Sequence, residues 1–586
     1  MADKYTYLAS HLYIYSQKFK ELNEKFKKII DKRDDELVLE INDWYKNKGL
    51  DFSSISFAAY SINYISVSDK KQKGIEYTPF NIAKAMSTYV LSKVDKVLFE
   101  DLKIIDPAVG SGIMLACIAN ELSKISKKNI KNIIEENIFG IDNDDFQILL
   151  AEITLCILSL ENTSKLPEKI NIANHDSLDL TADFLFATFD IKEFDVVITN
   201  PPYIRSKNLN NLQKHKIRAK FKETNSGLVD TYIPFFQISM DLLRDCGHSI
   251  LLTPNSYFTT NNGKKLRNYL MNNTKKIRLV NFKNKKLFNN IMSYSAITYF
   301  EKKLNSNMKN IKSIIVNLDD NNHAFNELET QNVSVGDTWR ILNLEDIKII
   351  ERLENKFGCK LNDLKFKNGI ATQRNKIYSF IYNKEDVDFY YFYKNGSEIK
   401  IEKDITKAFI TPNQTERERK QRIIFPYKYT DKATIIDENT MKSKYPETYK
   451  YLQKNKNELK KRATDKNIPA WYAYGRSQGL NDRGLRLYLP YIASKIHTSI
   501  SKEKDEVFAA GYAIFNDNVE YLNFLGDILS SDFFSFYIAK ISKPYSDGYF
   551  STAKNQIKNF SIPSEKEFEN KYKAHWDSSK VNELYK

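Results

Sequence analysis

The sequence predicts an α/β protein with an open, Rossmann-like, mostly parallel sheet and its chemistry at the carboxyl ends of the strands. Three observations carry this. A short apolar strand, Lys103-Ile104-Ile105, runs into Asp106-Pro107-Ala108-Val109-Gly110-Ser111-Gly112 and then into a helical stretch, Ile113–Ala119. Two further apolar strands, Asn137–Ile141 and Asn171–Asn174, each lead to an acid, Asp142 and Asp176. A fourth, Phe194–Thr199, ends in Asn200-Pro201-Pro202-Tyr203. In open parallel sheets ligands bind outside strand carboxyl ends, and serial βα units place those ends side by side.

Taken in order, residues 1–70 space Phe19, Leu22, Phe26, Ile29 and Ile30 as a helix would. They form a helical lead-in expected to pack on the domain that follows. Residues 71–318 hold the strand series, with later strands at Ile250–Pro254 and 311–317. Polar residues 319–338 read as a linker. Residues 339–586, rich in Tyr and Phe, read as a further mixed α/β domain. A chain of 586 residues accommodates two or three domains. Four scattered cysteines, with no CxxC pair, point away from a zinc site or disulfide framework. No metal site, membrane span or apolar signal core is expected.

Each motif suits a particular task. The glycine turn lets backbone approach a ligand closely, and it lacks the Gly-Lys-Ser/Thr of a phosphate loop. An acid at the end of the second strand suits a ribose hydroxyl pair. In Asn200–Tyr203, two prolines fix the backbone and remove two N–H donors. An amide oxygen, backbone carbonyls and an aromatic face then surround one point, which suits a planar substrate bearing an amino group.

In their order and content these motifs resemble the gamma class of N6-adenine DNA methyltransferases, which have the class I S-adenosylmethionine-dependent methyltransferase fold followed by a target recognition domain. The resemblance covers about residues 70–300 and includes Gly74–Pro79, the glycine turn, Asp142, Asp176, Asn200–Tyr203, Asp230-Thr231-Tyr232 and Phe288. It implies that Tyr77, Thr78 and Pro79 line the methionine end of S-adenosyl-L-methionine. Asp106, Pro107, Ala108, Gly110, Ser111 and Gly112 would form the turn beneath it. Asp142, with Asn143, would hold the ribose, and Asp176, with Ser177, the cofactor's adenine amino group. Family members often carry an aromatic residue beside the Asp176 position; here Ser177 and Leu178 follow, leaving the source of that stacking open. Asn200 and the Pro201 carbonyl would accept both N–H bonds of the target N6. Tyr203, Phe288, Asp230 and Tyr232 would flank a base rotated out of the duplex. Asp230 also reads as the cap of a helix over Thr231–Leu243.

The net charge of +15 suits a polyanion partner. Residues 341–586 hold 43 Lys and Arg against 33 Asp and Glu, densest between Thr411 and Arg476, with Arg417, Arg419, Arg422 and Arg462 among them. The loops Gly369–Lys376 and Trp471–Gly479 mix Arg, Gln and Asn. Arg374, Lys376, Arg476 and Gln478 are the candidate contacts to double-stranded DNA. The expected setting is the bacterial cytoplasm, bound to the nucleoid. No metal is expected to be required for methyl transfer, and any cognate restriction endonuclease would lie on another chain. Alternatives are methylation of an RNA adenine or a protein glutamine, a non-catalytic DNA-binding module, and a fused restriction–modification enzyme.

Overall fold

The computed structural model describes residues 3–64, 78–225, 227, 229–282, 295–304, 313–314, 317–318, 325–326, 331–332, 339, 342, 344–412, 420–462, 464–465, 468–542 and 548–585. Tyr77, Phe288, Arg417 and Arg419 lie outside them, as do most of the expected strand at 311–317 and most of the polar stretch 319–338. The chain divides into two units, Met1–Ile341 and Leu342–Lys586.

The first unit is built on a seven-stranded sheet in the order β3-β2-β1-β4-β5-β7-β6. Its strands are β1 Ile104–Asp106, β2 Ile138–Asp142, β3 Asn171–Asn174, β4 Phe194–Thr199, β5 Leu243–Pro254, β6 Thr274–Asn281 and β7 Ser295–Lys302. Strands β3, β2, β1, β4 and β5 run parallel, for example with Ile105 opposite Val197 and Ile198 opposite Ile250. Strand β7 alone is antiparallel, inserted between β5 and β6. This is the class I S-adenosylmethionine-dependent methyltransferase fold. The central strands are buried on both faces, which is why they read as continuous apolar runs rather than alternating ones.

Helices Lys4–Lys18, Lys20–Ile30, Asp35–Lys48 and Ser54–Tyr60 precede the sheet. Their buried Leu8, Leu12, Leu22, Ile41 and Phe57 share one core with Phe146, Leu150, Ile153 and Ile157 of helix Asp145–Thr163. The opposite face of that same helix sends Ala151, Leu155 and Leu158 into the core beneath the sheet. Its composition and 19-residue length would suit a membrane span. Here the apolar circumference has a simpler cause, since the helix is buried between two cores.

The structure changes one helix boundary. The helix expected over Thr231–Leu243 spans Tyr232–Leu242, and Thr231, not Asp230, occupies the cap position, with no side-chain cap bond. The Asp230 carboxylate instead accepts the Ser206 N–H at 3.3 Å. Trp339 belongs to the first unit, where it is buried against Tyr257 and Phe258.

The second unit is mixed α/β. One four-stranded sheet is ordered Lys365–Asn368, Gly511–Phe515, Arg486–Pro490, Ser499–Ser501, with antiparallel pairings. A second joins Ser379–Ile381, Gln421–Ile424, Thr406–Ile410 and Val507–Phe508. Helices Val519–Leu529 and Asp532–Ile541 pack their apolar faces into the core beside the first of these sheets.

Candidate active site

A cavity of about 820 Å³ opens at the carboxyl ends of β1, β2, β3 and β4. That is within the usual range for a site holding a cofactor-sized ligand. Its wall brings together most of the residues singled out in the sequence: Thr78, Pro107, Ala108, Gly110, Ser111, Asp142, Asn143, Asp176, Ser177, Asn200, Pro201 and Pro202.

The floor is the turn after β1. Gly110 and Gly112 have φ of 53° and 82°, a backbone conformation that favours glycine. A Cβ on Gly112 would stand 2.8 Å from the Cα of Ala151. The turn is therefore pressed against helix Asp145–Thr163, and Thr154 Oγ1 fastens it by donating to the Ser111 carbonyl at 2.8 Å. Fully buried Asp106 accepts the Ala108 N–H at 2.9 Å. Burial pushes its carboxyl up to about 7, against the pull of the Thr199 hydroxyl and the Ala108 N–H.

Asp142 closes one side. Its two oxygens accept the Gly110 N–H and the Asp144 N–H, both at 3.1 Å. Burial nevertheless pushes its carboxyl up to about 6. Asp176 sits two residues beyond the end of β3 rather than on it. One oxygen accepts the Leu178 N–H at 3.0 Å; the other is 3.4 Å from the Lys216 ammonium, which also pairs with Asp179. Ser177 donates its hydroxyl to the Pro107 carbonyl, tying the β3 end to the β1 turn.

At the far side, Asn200 lies at the end of β4. Its Nδ2 donates to Thr78 Oγ1 at 3.1 Å, and its Oδ1 accepts the Tyr203 hydroxyl at 2.7 Å. The carboxamide is thus held from both ends by residues on two separate segments. Tyr203 is packed between the two cores flanking the sheet, and its hydroxyl also lies 2.9 Å from the Leu252 carbonyl. Thr231 clamps the turn by donating to the Pro202 carbonyl at 2.5 Å and accepting the Ile204 N–H at 2.9 Å. Buried Tyr232 meets Ser256 Oγ at 3.1 Å, and it does not line the cavity.

The donor set fits S-adenosylmethionine. The wall offers two carboxylate acceptors, Asp142 and Asp176, of the kind hydroxyl and amino groups require, and a glycine floor that admits close backbone approach. Two buried polar atoms on the wall, Ser111 Oγ and His175 Nε2, make no hydrogen bond among the described residues. Among those residues, no group of three His, Cys, Asp or Glu side chains has the arrangement of a metal site. Sequence reasoning missed Tyr5, His175 and Phe235, all on the same wall. Tyr5 and Phe235 lie on helices outside the strand-end motifs, so no local pattern marked them. His175 did stand beside the motif, before Asp176.

In the second unit the two loops chosen from composition are neighbours. The Gly475 and Arg476 N–H groups donate to the Thr372 and Ala371 carbonyls at 3.2 and 3.1 Å. Arg374, Lys376 and Arg476 are exposed, with Arg476 paired to Asp465 at 3.0 Å. Exposed Gln478 spends its Nε2 on the Gly369 carbonyl at 2.8 Å. Arg462 departs from its place among the solvent-facing basic residues: it is buried, donating to Tyr378 Oη at 2.7 Å and the Trp471 carbonyl at 3.1 Å. It is a scaffold for the second loop, because a buried guanidinium must find acceptors.

Residues 136–288 match the family model described as Eco57I restriction-modification methylase. The chain is 26% identical over 393 residues to the Type II restriction enzyme and methyltransferase RM.Eco57I of Escherichia coli, a match covering 60% of this chain and 39% of that relative. It is 24% identical over 440 residues to the Type II methyltransferase M.BanIII of Aneurinibacillus aneurinilyticus, covering 67% of this chain and 72% of the relative. Among solved structures, the Type IIL restriction-modification enzyme MmeI in complex with DNA superposes with a TM-score of 0.57 at 12% identity, covering 88% of this chain and 72% of that one. The chain is thus similar to Type II methyltransferases, and its residues 136–288 carry the likeness to Eco57I restriction-modification methylases on a class I methyltransferase sheet.

Proposed function

We propose that this chain is a site-specific DNA methyltransferase that moves a methyl group from S-adenosylmethionine to N6 of an adenine rotated out of duplex DNA. The observation that carries the reading is the single cavity in which Asn200-Pro201-Pro202 faces the glycine turn and Asp142. Relatives named as Type II methyltransferases support the reaction class.

When bound, S-adenosylmethionine supplies an electrophilic methyl on a sulfonium. The protein's task is to present a poor nucleophile to it. N6 of adenine shares its lone pair with the ring. Accepting its two N–H bonds at Asn200 Oδ1 and the Pro201 carbonyl would favour a pyramidal nitrogen with its lone pair freed for attack. Thr78 and Tyr203 orient the Asn200 carboxamide for this. Positioning and fixed dipoles do the work. No side-chain base is needed, since the alkylated nitrogen is acidic and releases its proton afterwards. Thr78, Asp106, Asp142, Asp176 and the glycine turn would hold the cofactor. Of the described target-base candidates, Tyr203 and Asp230 would support the everted base; Tyr232, buried away from the cavity wall, would not touch it. The second unit would read the site.

Base-resolution mapping of modified DNA from cells expressing the chain tests this directly. N6-methyladenine within one recurring sequence is expected; unmodified adenines throughout would end the proposal.

Cofactor binding should depend on pH. The Asp142 carboxyl is raised, so its ionised form, the one able to accept two hydroxyl hydrogens, predominates only above about 6. Ionisation is correspondingly unfavourable to the fold, and its contribution to stability falls as pH climbs from the ordinary carboxylate range through 6. Affinity for S-adenosylmethionine, followed by calorimetry from pH 5 to 8, should therefore rise with pH and level off above about 7, where Asp106 also titrates. Asp142→Asn should bind weakly and lose the rise between pH 5 and 6.5.

In the second unit, Arg374→Ala and Arg476→Ala should separate base reading from phosphate contact. Loss of a base contact relaxes sequence preference by about 1–3 kcal/mol per position, whereas loss of a phosphate contact flattens the salt dependence of binding by about one unit of slope. A variant that alters neither would remove that residue from the interface.

A further inference from the structure

The first helix takes part in the cavity. Tyr5 lines it next to Asp142, Asn143, Asp144 and Gln147, although it stands well over a hundred residues away in sequence. Its placement is built rather than incidental. Asp3 caps the helix by accepting the Tyr5 and Thr6 N–H groups at 2.8 and 2.9 Å. Lys4 reaches over the Phe146 ring at 4.4 Å and lies 3.8 Å from Asp144. The Tyr5 ring meets Phe146 edge-to-face, with centroids 5.1 Å apart and planes at 82°. Further along, His11 Nε2 and Tyr45 Oη are 2.8 Å apart in a buried cluster that fixes the helix to its neighbours.

That anchoring leaves Tyr5 46% exposed, so part of the ring remains available to a ligand. The position of a ligand follows from the strand ends. If Asp142 holds a ribose, the attached base must lie outward, between the turn after β2 and the turn after β3. The β3 side of that slot carries His175, stacked on Phe184 at 3.9 Å, together with Leu178. The β2 side is the Asn143–Asp145 turn, beside which Tyr5 stands.

We propose that Tyr5 is a binding residue for the purine of an adenosine-containing cofactor, making the first helix part of the cofactor site. The inference rests on the cofactor assignment made above for the cavity. Its chemistry is contact between an aromatic ring and a base, which needs the ring and not the hydroxyl.

Calorimetric titration of the full chain with S-adenosylmethionine and with S-adenosylhomocysteine tests it. Tyr5→Phe should bind both within twofold of the unaltered chain. Tyr5→Ala and Tyr5→Leu should each weaken both by about tenfold, the scale of one base–aromatic contact. Tyr5→Leu keeps apolar volume against Phe146, so a loss there tracks the ring rather than the packing of the helix. Unchanged affinity in Tyr5→Leu, or a loss in Tyr5→Phe equal to that in Tyr5→Ala, would overturn the assignment of the ring. An unaltered chain that binds neither compound would overturn the cofactor reading itself, and this inference with it.

Discussion

Asn200→Ala should lower the rate of methyl transfer by roughly 10²–10³ while leaving S-adenosylmethionine affinity unchanged. The size follows from removing one aimed acceptor at the atom whose charge changes most in the transition state. A neutral amine shared with a ring gains nothing from a hydrophobic methyl in place of a carboxamide, and the Pro201 carbonyl alone holds only one N–H. The fold should tolerate the change. The Tyr203 hydroxyl loses Asn200 Oδ1 but retains the Leu252 carbonyl at 2.9 Å, so no buried donor is orphaned there. Single-turnover transfer from labelled donor, with parallel calorimetry, separates rate from binding. Undiminished turnover would rule out Asn200 as the N6 acceptor. Asn200→Asp retains an acceptor but gives up the donation to Thr78, so it should fall between the two.

The part of this site that could be read from sequence is the part fixed by short-range geometry. Strand β4 spans the residues expected, Phe194–Thr199, because a buried parallel strand is a continuous apolar run and proline ends it. The turn after β1 was legible for a similar reason: glycine at a positive φ and an acid at a strand end are local requirements. Asp142, Asp176 and Asn200 then meet because βα units place successive strand ends on one edge of the sheet.

What the sequence left unread depends on long-range contact. Thr78 was placed at the cofactor, but its hydrogen bond to Asn200 joins residues 122 positions apart. Tyr5 carries no motif, and only the packing of the first helices on helix Asp145–Thr163 brings it to the cavity. Charge density misled at Arg462. A run of basic residues reads as a solvated face, yet this guanidinium is buried and donates to Tyr378 Oη and the Trp471 carbonyl. Gln478 illustrates a related limit, since one of its amide donors already serves the Gly369 carbonyl.

Gly112→Ala should destabilise the first unit by about 2–5 kcal/mol and abolish cofactor binding. Two separate costs add. At φ 82° an L-residue is strained by roughly 1–2 kcal/mol. The new methyl would also stand 2.8 Å from the Cα of Ala151, a backbone atom inside a buried helix that cannot rotate away. Overpacking of that kind costs about 1–3 kcal/mol. Gly49→Ala isolates the first cost: Gly49 has φ 60°, lies in the same unit and has nothing within 4 Å of its Cβ position. It should lose only about 1 kcal/mol and bind cofactor normally. Denaturant unfolding of both variants, with cofactor titration, makes the comparison. Equal losses would mean that helix Asp145–Thr163 yields to the extra methyl, and that the glycine turn owes its place under the cavity to backbone conformation alone. A larger loss in Gly112→Ala would instead tie the floor of the site to its contact with Ala151, so that the packing of one helix sets how closely the backbone can approach a ligand.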